Sequence, residues 1–202
     1  MNKSKRTKMN EEIPKFFNNC KNSIDELSEQ FGTLEEIINI LQKAQKNGNT
    51  IFTIGNGGSG STASHFVSDL LKTTITKEEK RFAAISLVDN IPVNLAWSND
   101  QSFDSIFIEQ LKNFLKPNDI VIAFSGSGKS KNVINAIEYA KENNATCIGF
   151  SGMDGGELKK TCDLCITVPS HDMLVIESSH LAICHCIIDL IRKSGTPLFK
   201  YD

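Results

Sequence analysis

Residues 54–69 read IGNGGSGSTASHFVSD, four glycines and four serines between an apolar run and a segment with helical spacing. Glycine lets a backbone turn sharply and approach a ligand, serine supplies a hydroxyl, and a helix start supplies free amides and a partial positive charge. The stretch begins where the apolar run TIFTI ends. A second loop of the same make, SGSGKS at 125–130, begins where DIVIAF ends and also leads into a helical segment. Alone, each loop reads as a tight turn with a serine helix cap. Together at strand ends, they can converge on one phosphate.

Working outward, the chain after residue 48 alternates short apolar runs with helical segments. The runs are TIFTI, FAAISLV, DIVIAF, ATCIGF and LCITV. Unbroken apolar runs, each followed by a helix, predict a doubly wound α/β fold: a five-stranded parallel sheet flanked by helices on both faces. Such sheets bind ligands beyond the carboxyl ends of their strands. The 202 residues, 40% of them apolar, are enough for one sizeable core and predict one domain. No P-loop is present, because that signature needs a glycine where Ala123 stands. GNGGSG also spaces its glycines unlike a dinucleotide fingerprint. No nucleotide cofactor is expected.

Before the sheet, apolar positions step by three or four from Ile13 to Leu41, which predicts amphipathic helix. Gly32 interrupts the pattern, and Thr33 with Glu36 resembles a capping box, so two helices are expected to meet near Gly32. The expected organisation is a basic tail over 1–9, N-terminal helices over 10–48 that make oligomer contacts, and the sheet domain over 49–202. A final helix is expected over 173–193, apolar around most of its circumference and therefore enclosed by the fold or by a partner subunit.

Lysine plus arginine (22) nearly balance aspartate plus glutamate (24), so no overall field favours nucleic acid or an anionic membrane. The N-terminus lacks the apolar segment of a signal peptide, and a cytoplasmic location is expected. Six cysteines then read as thiols rather than a disulfide framework. Cys162 and Cys165 have no second matching pair; taken as lying on one strand, they should point to opposite faces as packing residues.

Two polar features stand out. His65 and Asp69, spaced i and i+4, share a helix face opposite Ala63, Phe66, Val67, Leu70 and Leu71. Glu177, Leu181 and His185 form another such stripe on the last helix. Polar groups there need partners or a ligand. His180 lies among Ile176, Cys184 and Ile187 and reads as a core histidine bonded to a carbonyl.

The GNGGS loop, the following HFVSD, WSND at 97–100, SGSGKS, MDGGEL at 153–158 and VIESSH at 175–180 resemble the SIS (sugar isomerase) domain family over nearly the whole chain. Within it, the resemblance is to the sedoheptulose-7-phosphate (phosphoheptose) isomerases. It implies that Ser125, Gly126, Ser127 and Ser130 cradle a sugar phosphate, and that Asn56, Gly57, Gly58, Asn99 and Asp100 hold the hydroxyl chain. It places Asp69 and His185 as the acid/base pair, with His65, Asp69, Glu177 and His185 around a zinc ion; Asp69 and Glu177 also face the substrate. It further implies a homotetramer with sites at subunit boundaries.

The implied reaction is an aldose-ketose isomerisation of sedoheptulose 7-phosphate to D-glycero-D-manno-heptose 7-phosphate through an enediol. The alternative is a non-catalytic module that binds a phosphosugar or a protein. The chain departs from the family pattern in having Asp69 for glutamate, Glu177 for glutamine and Gly126 for threonine. Aspartate is one methylene shorter, and a misplacement of about an ångström can cost roughly a hundredfold in rate.

Overall fold

The computed structural model describes residues 3–199. Helix α1 (Lys3–Glu26) leads through a 3-10 turn (Leu27–Gln30) into α2 (Phe31–Asn47). Then follow β1 (Thr50–Gly55), α3 (Gly57–Lys72), β2 (Ala83–Ser86), α4 (Ile91–Asp100), α5 (Ile108–Phe114), β3 (Ile120–Ser125) and α6 (Lys131–Glu142). The chain closes with β4 (Thr146–Gly152), α7 (Gly156–Thr161), β5 (Leu164–Val168) and α8 (Met173–Lys193). All strand pairs are parallel, in the order β2-β1-β3-β4-β5. The expected α/β fold and its five runs are thus present. The chain order reverses between β1 and β3, and this switch point opens a crevice at their carboxyl ends.

Two apolar layers cover the sheet. On one face Ile37 and Leu41 of α2, Phe66 and Leu70 of α3, and Ile176, Ile183 and Ile187 of α8 pack against Ile122, Phe124 and Phe150. On the other, Leu111, Val133, Ile137 and Leu158 pack against Phe52, Ile54 and Val121. Leu71, expected on the core stripe of α3, is 43% exposed. Thr53 inside β1 donates its hydroxyl to the Ala63 carbonyl at 3.0 Å, pinning α3 to the strand that precedes it.

The helical break lies at 27–30, not at Gly32, which sits in the first turn of α2. Thr33 and Glu36 form no capping box, because the N-cap position belongs to Gln30. The reason is tertiary. Gln30 donates to the Thr167 carbonyl and accepts the Thr167 N–H, both at 2.8 Å, so its amide acts as a further strand against the open edge of β5. Helix α1 starts at Lys3, so most of the basic segment 1–9 is helical; residues 1 and 2 lie outside the described residues.

The two cysteines of CDLC also differ from expectation. A Cβ on Gly149 would lie 3.0 Å from Cys165 Sγ and 3.1 Å from Cys162 Sγ, so both thiols share one face. Alternation fails because Cys162 caps α7 and only Leu164 begins the strand. Burial pushes both thiols up, and Cys147 beside them to about 12, as packing residues require.

Helix α8 is long and apolar enough to cross a bilayer by length and composition, yet nine of its residues are buried in this fold. Among them His180 is fully buried against Phe124 and Phe150, and its Nε2 donates to the Ser151 carbonyl at 3.0 Å. It is the carbonyl-bonded core histidine the sequence suggests. Its Nδ1 has no partner among the described residues. Burial lowers its pKa from 6.5 to about 4, only partly opposed by the bond to Ser151. The folded protein therefore stays neutral here while the unfolded chain takes up a proton below pH 6.5. Stability is complete above 6.5 and falls by about 3 kcal/mol toward pH 4. Urea unfolding of wild type and His180→Gln should diverge in pH dependence over that window; parallel curves would contradict the assignment.

Candidate active site

Asn56 and Ser130 stand at the N-cap positions of α3 and α6, and both are residue types that normally cap. Neither side chain does. Ser130 instead receives the Ser125 hydroxyl at 3.3 Å, and Asn56 exchanges two hydrogen bonds of 2.9 Å with Asn132. Among the described residues, the N–H groups of Gly57, Gly58, Ser59, Ser127, Ser130 and Lys131 therefore meet no acceptor. Two helix starts with free donors face one cavity of about 270 Å³ at the β1/β3 switch point. Helix ends in this state form anion sites.

The cavity is lined by Asn56, Gly57, Gly58, Ser125, Gly126, Ser127, Ser130 and Glu177, all of them sequence candidates. Ser59, Phe124 and Met173 also line it and were not foreseen. Helix α8 lies directly over Gly126 and Gly58. A Cβ at Gly126 would meet the Met173 sulfur, and one at Gly58 would meet the Glu177 carboxylate. The 152–158 loop supports the serine loop from behind, with Gly152 N–H donating to the Gly126 carbonyl and Leu158 N–H to the Gly128 carbonyl, both at 3.0 Å. This explains the place of MDGGEL: Asp154 accepts the Gly156 N–H at 3.1 Å, and that bond with nearby Lys129 holds its carboxyl below the usual range.

Seven residues, about 10 Å, along α3 from Gly58 stands His65. Its Nε2 lies 2.9 Å from His185 Nε2 and 3.3 Å from Asp69 Oδ2, and His185 Nε2 is 3.8 Å from the same oxygen. The i, i+4 spacing on α3 brings the first two together, and α3 packing beside α8 adds the third. Thr73 also donates to Asp69 Oδ1 at 2.9 Å, which fixes the carboxylate. The three ligand atoms lie within 4.8 Å of one another and form a group able to hold a metal ion. Two imidazole nitrogens with one carboxylate oxygen suit a borderline divalent metal.

Not every candidate joins this arrangement. Glu177 is not in the three-residue group; it stands eight residues before His185 on α8, and its carboxylate leans over Gly58 into the phosphate-side cavity. Asn99 and Asp100 end α4, exposed and bonded to each other at 2.7 Å, and do not line the cavity. Asn132, buried to 1% exposure and bonded to Asn56 of the cavity wall, was also not a sequence candidate. Its sequence signal was a polar residue four before Ala136 and eight before Ala140, on the buried stripe of α6.

A parallel α/β domain with two uncapped helix starts at its switch point, and imidazole and carboxylate groups two turns below, defines an anion-binding protein with acid–base groups within reach. The SIS domain model matches residues 15–152. Phosphoheptose isomerase 1 of Campylobacter jejuni is 36% identical over 163 residues, covering 81% of this chain and 87% of that protein. The phosphoheptose isomerase of Rhodospirillum rubrum is 32% identical over 186 residues, covering 92% and 98%. The solved structure of a phosphoheptose isomerase from Francisella tularensis superposes with a TM-score of 0.83 at 26% identity, covering 94% of this chain and 98% of that one. The chain belongs to the SIS domain family, in its phosphoheptose isomerase branch.

Proposed function

We propose that the protein interconverts sedoheptulose 7-phosphate and D-glycero-D-manno-heptose 7-phosphate. The observation that carries this reading is the packing of α3 against α8, which sets a phosphate-type cavity two helical turns from the His65, Asp69 and His185 group. The phosphate is held by Ser125, Ser127, Ser130 and the free amides around Gly126. The free amides of Gly57 and Gly58 hold hydroxyls of the extended chain while Asn56, engaged by Asn132, keeps the loop in place, and the carbonyl end reaches the histidines.

Asp69 and His185 divide the proton work. One removes a proton from C1, beside the C2 carbonyl, while the partner protonates O2, giving an enediol; the first then delivers its proton to C2 as the partner takes the proton of the O1 hydroxyl, which becomes the aldehyde carbonyl. A carboxylate and an imidazole suit this near neutral pH. His65, Asp69 and His185, with Glu177 swung from Gly58, would hold zinc, which when bound polarises the carbonyl.

Incubation with sedoheptulose 7-phosphate should yield aldose 7-phosphate. Dialysis against a chelator should lower turnover, and added zinc should restore it. Thermal stabilisation by the sugar phosphate without any conversion would instead support a binding module.

The assembly we propose is a homotetramer. Met9, Ile13, Phe17 and Ile24 on α1 and Phe31 on α2 are 45–66% exposed, and an apolar groove lined by Leu27, Leu34 and Ile183 runs beside them. Burying such side chains yields about 1.5–3 kcal/mol each. Phe17→Glu should therefore shift sedimentation velocity toward smaller species; an unchanged profile would remove this face from the interface.

A further inference from the structure

We infer that Asn132 is a positioning residue whose task is to keep the α3 helix start uncapped, so that its backbone amides remain available to the ligand. The inference rests on the phosphosugar reading above for the ligand's identity, but not for its geometry.

An asparagine at an N-cap normally turns its side-chain oxygen onto the N–H of the second or third helical residue, here Gly58 or Ser59. The backbone of Asn56 is already extended as a cap requires, with φ −110° and ψ 148°. Left to itself, the side chain would satisfy those two amides and close the site. It does not, because Asn132 reaches across the switch point from the first turn of α6. Asn132 Nδ2 donates to Asn56 Oδ1 at 2.9 Å and Asn56 Nδ2 donates to Asn132 Oδ1 at 2.9 Å. That exchange takes one donor and one acceptor position of the Asn56 amide and fixes its plane, and in that orientation the side chain makes no cap bond to α3.

Asn132 is itself held rigidly. It is buried, and its Oδ1 also receives the Val133 N–H at 3.0 Å. The pair thus ties the β1 loop to the β3 loop while withholding a cap from α3. An amide at both ends suits the exchange, since it gives and accepts one bond in the same plane.

The test is a set of variants read by crystal structure and by calorimetric binding of sedoheptulose 7-phosphate. In Asn132→Ala, without ligand, Asn56 Oδ1 should move to within hydrogen-bonding distance of the Gly58 or Ser59 N–H. Affinity should fall about tenfold, the loss of one or two ordinary donors. Asn132→Ser keeps an oxygen for the Val133 N–H but cannot span to Asn56, so it should behave alike and covers the case in which alanine fails to fold. Adding Asn56→Ala to either variant removes the competing cap and should recover part of the lost affinity.

An Asn56 side chain that stays off the α3 amides in both variants would overturn the inference. So would a double variant weaker than the Asn132 single, as two independent losses would give. If wild type binds no sedoheptulose 7-phosphate, the phosphosugar reading fails. The position of Asn56 in the crystals still decides the role of Asn132.

Discussion

His185→Ala is expected to lower turnover of sedoheptulose 7-phosphate by about two to four orders of magnitude, the range general acid–base groups supply. The Michaelis constant should move little, because the phosphate is held by the serine loop two helical turns away. Folding should be nearly untouched as well. His185 projects from α8 with 54% of its side chain exposed, so its loss opens no core cavity. Asp69→Asn should act similarly, and the double variant should be no worse than the weaker single, since the two groups serve one proton transfer. Full activity in His185→Ala would remove that residue from the chemistry and leave the cavity as a binding site only.

The largest expected structural effect is at Gly128, in the middle of the serine loop. Its φ is +63°, and a Cβ there would run into the carbonyl of Gly155. Backbone cannot swing aside as a long side chain can. Gly156 faces back with φ +57°, where a Cβ would lie 2.6 Å from the Gly128 carbonyl oxygen. Gly128→Ala should therefore destabilise by on the order of 3 kcal/mol, combining left-handed strain with displaced backbone. For a chain of this size that corresponds to a melting temperature lower by roughly 6–12 °C, with phosphate affinity lost in parallel.

Gly32 supplies the contrast. It lies in the first turn of α2 with open space around it, so Gly32→Ala should stabilise by about 0.5–1 kcal/mol. Differential scanning calorimetry on the two variants reads both. A neutral Gly128→Ala would mean that the two loops are not held against each other as described.

These contrasts show where sequence reading succeeds. The strands were legible because each is a local property: an apolar run of suitable length bounded by turn residues. His65 with Asp69 was legible because four residues make one helical turn. Gln30 and Asn132 were not, since each is defined by a partner far along the chain. Gln30 meets Thr167 across 137 residues, and Asn132 meets Asn56 across 76. The same distance explains the misplaced break at Gly32: local capping rules favoured Thr33, while the edge of β5 captured Gln30.

By itself, the sequence determined the alternation of strands and helices, the two glycine-serine loops and the spacing of His65 from Asp69, because period and backbone freedom act over a few residues. The tertiary structure alone decided that Asn56 and Ser130 leave their helices uncapped, that His185 meets His65, and that Glu177 leans over Gly58. Those outcomes depend on which hydrogen-bond partner wins, and the winners come from strands and helices that only the packed sheet brings within reach.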